Sequence, residues 1–593
     1  MSITPKGMSI QEAYRLFREG KLIVNRKYQR KLVWSQSEKE KLIDSIMCGY
    51  PIPLILLASK PELHGHESYE ILDGVQRLTA LFDFIENRVQ FNERFFDTNE
   101  FTRAKSIAQA GSFTPVTLEG NDFLNTDECA KFLDYQLAVT IYPAMKETEM
   151  IEVFGRINSQ GRQLSNQERR QAGVINNFSE LIRKISFEIR GDVSKNLLKL
   201  YEMPTISIDN HRNDMNYSIK ADEIFWCKSG VLGKNEIRNG EDEEMIADVA
   251  ASILLNKPFQ KSLENFDNLY NENTDIHREI LNALIRYDKD ILYENIISTF
   301  SLLKSVIENT ANEPNGFRKI VSGQHRNPVK NSFYSLFMAF YDLFIIHEMV
   351  PEDLDGIMKA INGLQQKLTS SAKYAKVEDR IKNIDLTKGL ISRYFVKKEV
   401  KSLKHGPSLI IDFENSLRRS KLETSRYEFK QGILEMSASP KFNDKLVERI
   451  LQTATAIANS AQCEDGYIYI GIADNEADAK RSKTIYGQDY LEAHGKFIVG
   501  IEREITRMNW DYDQYTKVFM DKIRNSEIED QLKTQLLTQI DIVDYYGYSI
   551  IRIRVPKQNK LTFFGDNIYV RNNNDTQLIT NHKEILALSE SFK

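Results

Sequence analysis

The chain has 593 residues, too many for one hydrophobic core, so about three to four domains are expected. Hydrophobic residues make up 41% and charged residues 27%, the composition of a soluble globular protein. A net charge of −5 gives no overall basic character, so any nucleic-acid contact has to come from local patches. The four cysteines are far apart and form no CxxC, and the nine histidines are scattered, which argues against a disulfide framework or a zinc site. No signal peptide is visible, and a cytoplasmic protein without membrane contact is expected.

From the N-terminus, "WSQSEKEKLIDSIMCGYPIP" reads as a helix with a Ser N-cap at Ser35 or Ser37, a stop at Gly49 and a Pro-defined turn. "LILLAS" (54–59) and "YEILD" (69–73) read as buried strands, and "RLTALFDFIENRV" (77–89) has helical spacing. Asp73 then ends a strand, Gly74 allows a tight turn, and Gln76 and Arg77 open a helix. Free N–H groups and partial positive charge at a helix start, with an Arg fork and an amide, suit a phosphate or another anion. A plain strand–turn–helix with a surface arginine fits the same residues. No GxxxxGK[ST] is present, so nucleotide chemistry of the Walker kind is not expected.

Two further stretches, "NRKYQRKLVWS" (25–35) and "FGRINSQGRQLSNQERRQA" (154–172), are polar and Arg-rich beside apolar elements. Tyr28-Gln29-Arg30 with Trp34, Gly49 to Pro53, Asp73 to Arg77, and Phe154 to Ser165 together resemble the N-terminal domain of GmrSD-type restriction enzymes and related DGQQR-motif proteins. The resemblance covers roughly residues 10 to 175. It implies a ParB/sulfiredoxin-like α/β fold and the binding or hydrolysis of an NTP, or sensing of modified DNA. The residues implied are Tyr28, Arg30, Asp73, Gly74, Gln76, Arg77 and Asn158. Val75 stands where the family has its first Gln, which puts turnover in question more than binding.

From about 176 to 400 the apolar spacing is mostly helical, as in "EEMIADVAASILLNK" and "LDGIMKAINGLQQKL". The apolar stretch 333–350 is interrupted by Asp342 and His347 and reads as a buried core helix rather than a membrane span. "KKEVKSLKHGPS" (397–408) reads as a linker.

Beyond 408, "RYEFKQGIL" reads as a strand, 444–461 as an amphipathic helix, "YIYIGIAD" as a half-buried strand, and 541–556 as a hairpin around Tyr546-Gly547. Glu428 and Lys430 share one face of their strand. Glu423 can reach the same place from the preceding turn or helix end, and Asp474 closes the strand that follows the helix. A strand–helix–strand crossover brings two strand ends together. Three carboxylates beside a lysine suit Mg²⁺ or Mn²⁺ and phosphodiester chemistry. The same Glu-Phe-Lys also suits an edge strand with an ion pair on one face.

Glu423 to Lys430, "AIANSA" (456–461), Gly466-Tyr467, "IGIAD" (470–474) and "YVRNNNDTQ" (569–577) resemble the Schlafen AlbA-like domain over about 415 to 585. Nuclease members of that family carry two glutamates and an aspartate at these motif positions. The resemblance therefore implies catalysis by Glu423, Glu428, Lys430 and Asp474, with metal on Glu423, Glu428 and Asp474. A single Gly466 replaces the usual glycine pair, and residues 500–535 form an insertion of uncertain role. Arg418, Arg419, Lys421 and Arg426, with Arg552, Arg554 and Arg571, suggest a basic stripe for phosphodiesters, or else simply balance nearby acids.

The expected architecture is α+β multidomain: an α/β domain over 1–175, a helical middle over 176–407 and an α/β domain over 408–593. The expected function is a restriction-type defence nuclease acting on DNA or RNA under nucleotide or modified-DNA control. The alternative is a non-catalytic nucleic-acid-binding regulator. The helical middle leaves room for a homo-oligomer.

Overall fold

The computed structural model describes the chain except for residues 1–4, 27–31, 62–66, 118–121, 144–148, 150–152, 154–164, 172–173, 175, 192–196, 204, 208–217, 324–325, 370–375, 398–407, 421–423, 438–440, 461–464, 573, 591 and 593. By packing, the chain divides into two compact units, Met1–Lys397 and Lys398–Lys593. The cut falls at the charged Gly-Pro stretch expected to be a linker. Both units mix helix and sheet, so the α+β multidomain expectation holds.

The first unit is built on a six-stranded mixed sheet. Its strands are β1 (Pro5–Ser9), β2 (Leu22–Asn25), β3 (Ile55–Pro61), β4 (Glu67–Asp73), β5 (Gln136–Tyr142) and β6 (Leu197–Lys199), in the order β1-β5-β3-β4-β2-β6. β6 pairs antiparallel with β2, so this sheet extends beyond residue 175 into the expected helical middle. The α1 (Ile10–Arg18), α2 (Gln36–Met47) and α3 (Val75–Ile85) helices pack on it through Tyr14, Phe17, Ile43, Leu78, Leu81 and Phe82.

Of the two serines the sequence offers, Ser35 caps α2, and Glu38 answers with a capping box. Glu38 does more than cap. Its two carboxylate oxygens accept from Arg238 at 2.5 and 2.8 Å, tying α2 to the helix Lys234–Arg238 within the same unit. Burial pulls the Glu38 pKa up, but the Ser35 N–H, the Arg238 guanidinium and the Ser35 hydroxyl outweigh it and leave it at about 2. A folded pKa below the ordinary 4.5 gives stability that is present above pH 4.5 and lost as pH falls towards 2. Glu38→Gln is therefore expected to lower the urea midpoint at pH 6, with the gap to wild type closing between pH 4.5 and 2. An equal gap at every pH would show that the Arg238 pair contributes nothing.

The middle of this unit is helical. Trp226 is fully buried among Phe225, Phe300 and Phe333, with ring centroids 5.1–5.7 Å from its own. The stretch expected to be a core helix forms Lys330–Tyr341 and continues into a π-helical turn, Asp342–Ile346. No helix among the described residues is long and apolar enough to cross a membrane.

The second unit centres on a four-stranded sheet. The strand Tyr427–Lys430 runs parallel to Gly466–Ile470, with Glu428 opposite Ile468 and Lys430 opposite Ile470. The helix Asp444–Ser460 makes the crossover between them, and the hairpin Ile540–Tyr545 / Tyr548–Val555 completes the sheet. The segment read as an insertion is part of the core. Its helices Glu502–Met508, Tyr512–Arg524 and Asp530–Leu537 bury Ile505, Tyr515, Phe519, Ile523, Leu532 and Leu536 against sheet residues such as Ile542, Ile551 and Ile553.

Candidate functional sites in the two units

The Asp73–Arg77 turn forms as expected. Gly74 has φ +103° and begins the turn into α3, and a Cβ there would collide with Ile55. Both facts call for glycine. Arg77 closes back on Asp73, with its Nη2 2.5 Å from Asp73 Oδ2. Gln76 is buried, and its side-chain oxygen accepts from the backbone N–H groups of Val33 and Trp34 at 3.2 and 3.3 Å. It thus anchors the chain just after the Tyr28–Arg30 motif. Val75 lies in the apolar core, so the residue that departs from the family pattern points inward. The turn brings Asp73, Gly74, Gln76 and Arg77 together. Tyr28, Arg30 and Asn158 lie outside the described residues.

In the second unit, strand alternation sends Tyr427 and Phe429 to one face, where they pack with Phe413, Leu417 and Tyr469. Glu428 and Lys430 take the other face, the one covered by the helix Asp444–Ser460. There Glu428 is ion-paired twice. Lys430 holds Oε1, and Arg571 Nη2 lies 2.9 Å from Oε2. The Arg571 side chain is 2% exposed and that of Glu428 11%. Arg571 is itself fixed, donating to Thr576 Oγ1 at 3.1 Å and to the Tyr427 carbonyl at 3.3 Å. Thr576 in turn meets Thr453 of the crossover helix at 3.0 Å.

Asp474 follows the short strand Ile472–Ala473 and is more than half exposed. It pairs with Lys496, whose ammonium also lies 4.6 Å from the Phe429 ring centroid. Glu428 and Asp474 are thus held by different cations. Glu423, the third expected carboxylate, lies outside the described residues. Among the described residues no three His, Cys, Asp or Glu side chains form a group that could hold a metal. The donor chemistry of Glu428 and Asp474, carboxylate oxygens beside lysines, is of the kind that hard cations such as Mg²⁺ or Mn²⁺ take.

The expected basic stripe is largely spoken for. Arg552 is buried against Asp412 at 2.5 Å and lies 3.5 Å from Asp541. Arg554 donates to Asp465 at 2.7 Å, and Arg426 donates to the Asp465 carbonyl. Arg418 donates to Asn415 at 3.0 Å. These arginines balance acids and carbonyls inside the unit, the plainer of the two readings. Lys421 is outside the described residues. The sequence assigns no role to Lys496, Arg503 or Glu504, and for Arg571 it leaves open a phosphodiester stripe or a balance of nearby acids; the pairing with Glu428 is the second. The Tyr-Val-Arg run offered one signal for Arg571, since the residue two positions after Tyr569 on that strand shares its face.

Residues 13–175 match the family described as GmrSD restriction endonuclease, N-terminal domain. Residues 423–580 match the family described as Schlafen, AlbA_2, a span that opens on Glu423 and takes in Glu428, Lys430, Asp474 and Arg571. The fold and these matches define a multidomain protein whose N-terminal part is of restriction type. More particularly, the chain joins a GmrSD-type N-terminal domain to a Schlafen AlbA-like C-terminal domain. No curated protein matches the chain.

Proposed function

We propose that this chain is a restriction-type defence protein whose C-terminal domain cuts nucleic acid under the control of its N-terminal domain. Glu423, Glu428 and Asp474 would hold Mg²⁺ or Mn²⁺, which when bound supplies an activated water and offsets phosphate charge. Lys430 places a cation beside the scissile phosphate. Arg571 orients the Glu428 carboxylate from behind. The Asp73–Arg77 turn would receive a nucleotide or modified DNA, with Gln76 holding the neighbouring 33–34 backbone in place. The observation that carries this reading is the placement of Glu428 and Lys430 side by side on a strand whose parallel neighbour runs on towards Asp474.

The test uses the full chain with single-stranded RNA, tRNA, and plain and modified DNA, in Mn²⁺ and in EDTA. Cutting of one class in Mn²⁺ alone is expected. Glu428→Ala is expected to slow it on the order of 10²-fold or more, since a lost metal ligand forfeits several kcal/mol of transition-state stabilisation. No cutting of any substrate, or equal cutting by Glu428→Ala, would sink the nuclease reading. The second reading, a non-catalytic binder, is favoured by one observation: both described carboxylates already carry lysine partners. It would show as retained binding with no cleavage.

A further inference from the structure

The strand that carries Glu428 and Lys430 ends abruptly, and the residues after it are held by side chains from a single distant helix. Glu504, on the helix Glu502–Met508, is fully buried. Its carboxylate accepts from the backbone N–H of Ile433 at 2.9 Å and of Leu434 at 3.2 Å. The Tyr515 hydroxyl donates to it at 2.6 Å. Burial and the Glu504 charge push the Tyr515 phenol well up, so it remains a donor throughout the ordinary pH range. The neighbouring Arg503 donates to the Gln431 carbonyl and lies with its guanidinium carbon 4.6 Å from the Tyr486 ring centroid. Residues 431, 433 and 434 are thus each pinned through the backbone, directly after Lys430.

Gly432 sits inside this clamp. Its backbone is not in the left-handed region, but a Cβ would fall on the Glu504 carboxylate. The glycine is needed so that the carboxylate can reach two successive N–H groups. A buried carboxylate accepting several hydrogen bonds is a rigid fixture, since turning it away would strand its partners.

We propose that Arg503 and Glu504 are positioning residues for the Glu428–Lys430 strand end. The helical segment 502–537 is then a working part of the site rather than a decoration on the domain. This rests on the nuclease reading above. A strand end that rotates or slides carries Lys430 and Glu428 with it, and a misplacement of about 1 Å in a site of this kind costs on the order of 10²-fold in rate.

The test compares wild type, Glu504→Gln and Gly432→Ala on whichever substrate the wild type cuts. Glu504→Gln keeps the shape but sets an amide NH₂ against one of the two backbone donors. Gly432→Ala leaves every charge in place and pushes the clamp open. Both variants are expected to lose about 10- to 100-fold in kcat with KM within about threefold of wild type. Their melting temperatures are expected to stay above the assay temperature. Wild-type kcat in both variants overturns the proposal. So does a joint loss that merely follows the unfolded fraction, which would mark Glu504 as structural only. If the wild type itself cuts nothing, the nuclease reading fails first, a result distinct from equal cutting by all three proteins.

Discussion

Arg190→Met is expected to destabilise the first unit by about 3–5 kcal/mol, the cost of breaking a buried ion pair by removing one partner. Arg190 closes the helix Asn177–Arg190, and its side chain is wholly buried. It pairs with Asp242, also wholly buried, and lies 3.1 Å from Glu243. Both acids stand in the first turn of the helix Glu241–Leu254. A cation at one helix C-terminus therefore meets carboxylates at another helix N-terminus, where each sign is favoured by the helix dipoles. Removing the arginine takes a buried cation away from both carboxylates, while Arg183 still acts on Glu243. Adding Asp242→Asn should restore part of the loss, because a neutral amide needs no counter-charge. Urea unfolding followed through buried Trp226 measures both variants. A loss below about 1 kcal/mol for Arg190→Met would show that the pair is not desolvated in solution.

Much of this fold is legible in the sequence because its signals are local. The α2 helix announces itself through Ser35 and Ser37 ahead of its apolar spacing, and of the two it is Ser35 that takes the cap, with Glu38 completing a capping box. The strand–helix–strand of the second unit follows from alternation around Glu428 and from the 3.6-residue period of 444–460. The hairpin at Tyr546-Gly547 follows from two residues that both take positive φ. What escapes the sequence is long-range. β6 has three residues and no periodicity of its own, and only its pairing with β2 makes it a strand. The 502–537 helices read as an insertion because they depart from the pattern of the resembled family, and nothing local in them says which surface they cover.

The sites divide in the same way. That Glu428 and Lys430 share a face is a matter of parity along one strand. That Arg571 sits behind Glu428 depends on a separate hairpin docking onto the crossover helix, and an arginine turned inward looks the same in a sequence as one turned outward. Gln76 teaches the same lesson from the other unit. Its place at a helix start suggests an outward amide, but its oxygen satisfies two backbone donors of a neighbouring segment. Buried polar groups find partners, and in a chain this long those partners can come from anywhere.

Arg571 supplies the prediction that joins stability to the site. Arg571→Met removes a buried guanidinium from Glu428 Oε2 and leaves Lys430 as the carboxylate's partner. A loss of about 3 kcal/mol is expected in the second unit, the low end for a broken buried pair because one cation remains. Trp510, in that unit, reports the transition. Glu428→Gln alone strands the arginine and should cost a comparable amount. The double variant should cost less than the sum by at least about 1 kcal/mol, since neither partner is then left charged and alone. Additivity within about 0.5 kcal/mol would mean that the two side chains do not interact in solution. Arg571→Met should also cut more slowly while still folded. On the nuclease reading proposed above, its Glu428 keeps its charge but loses the anchor that fixes the direction of the carboxylate, and a carboxylate free to turn towards Lys430 would present its oxygens to a metal ion less often.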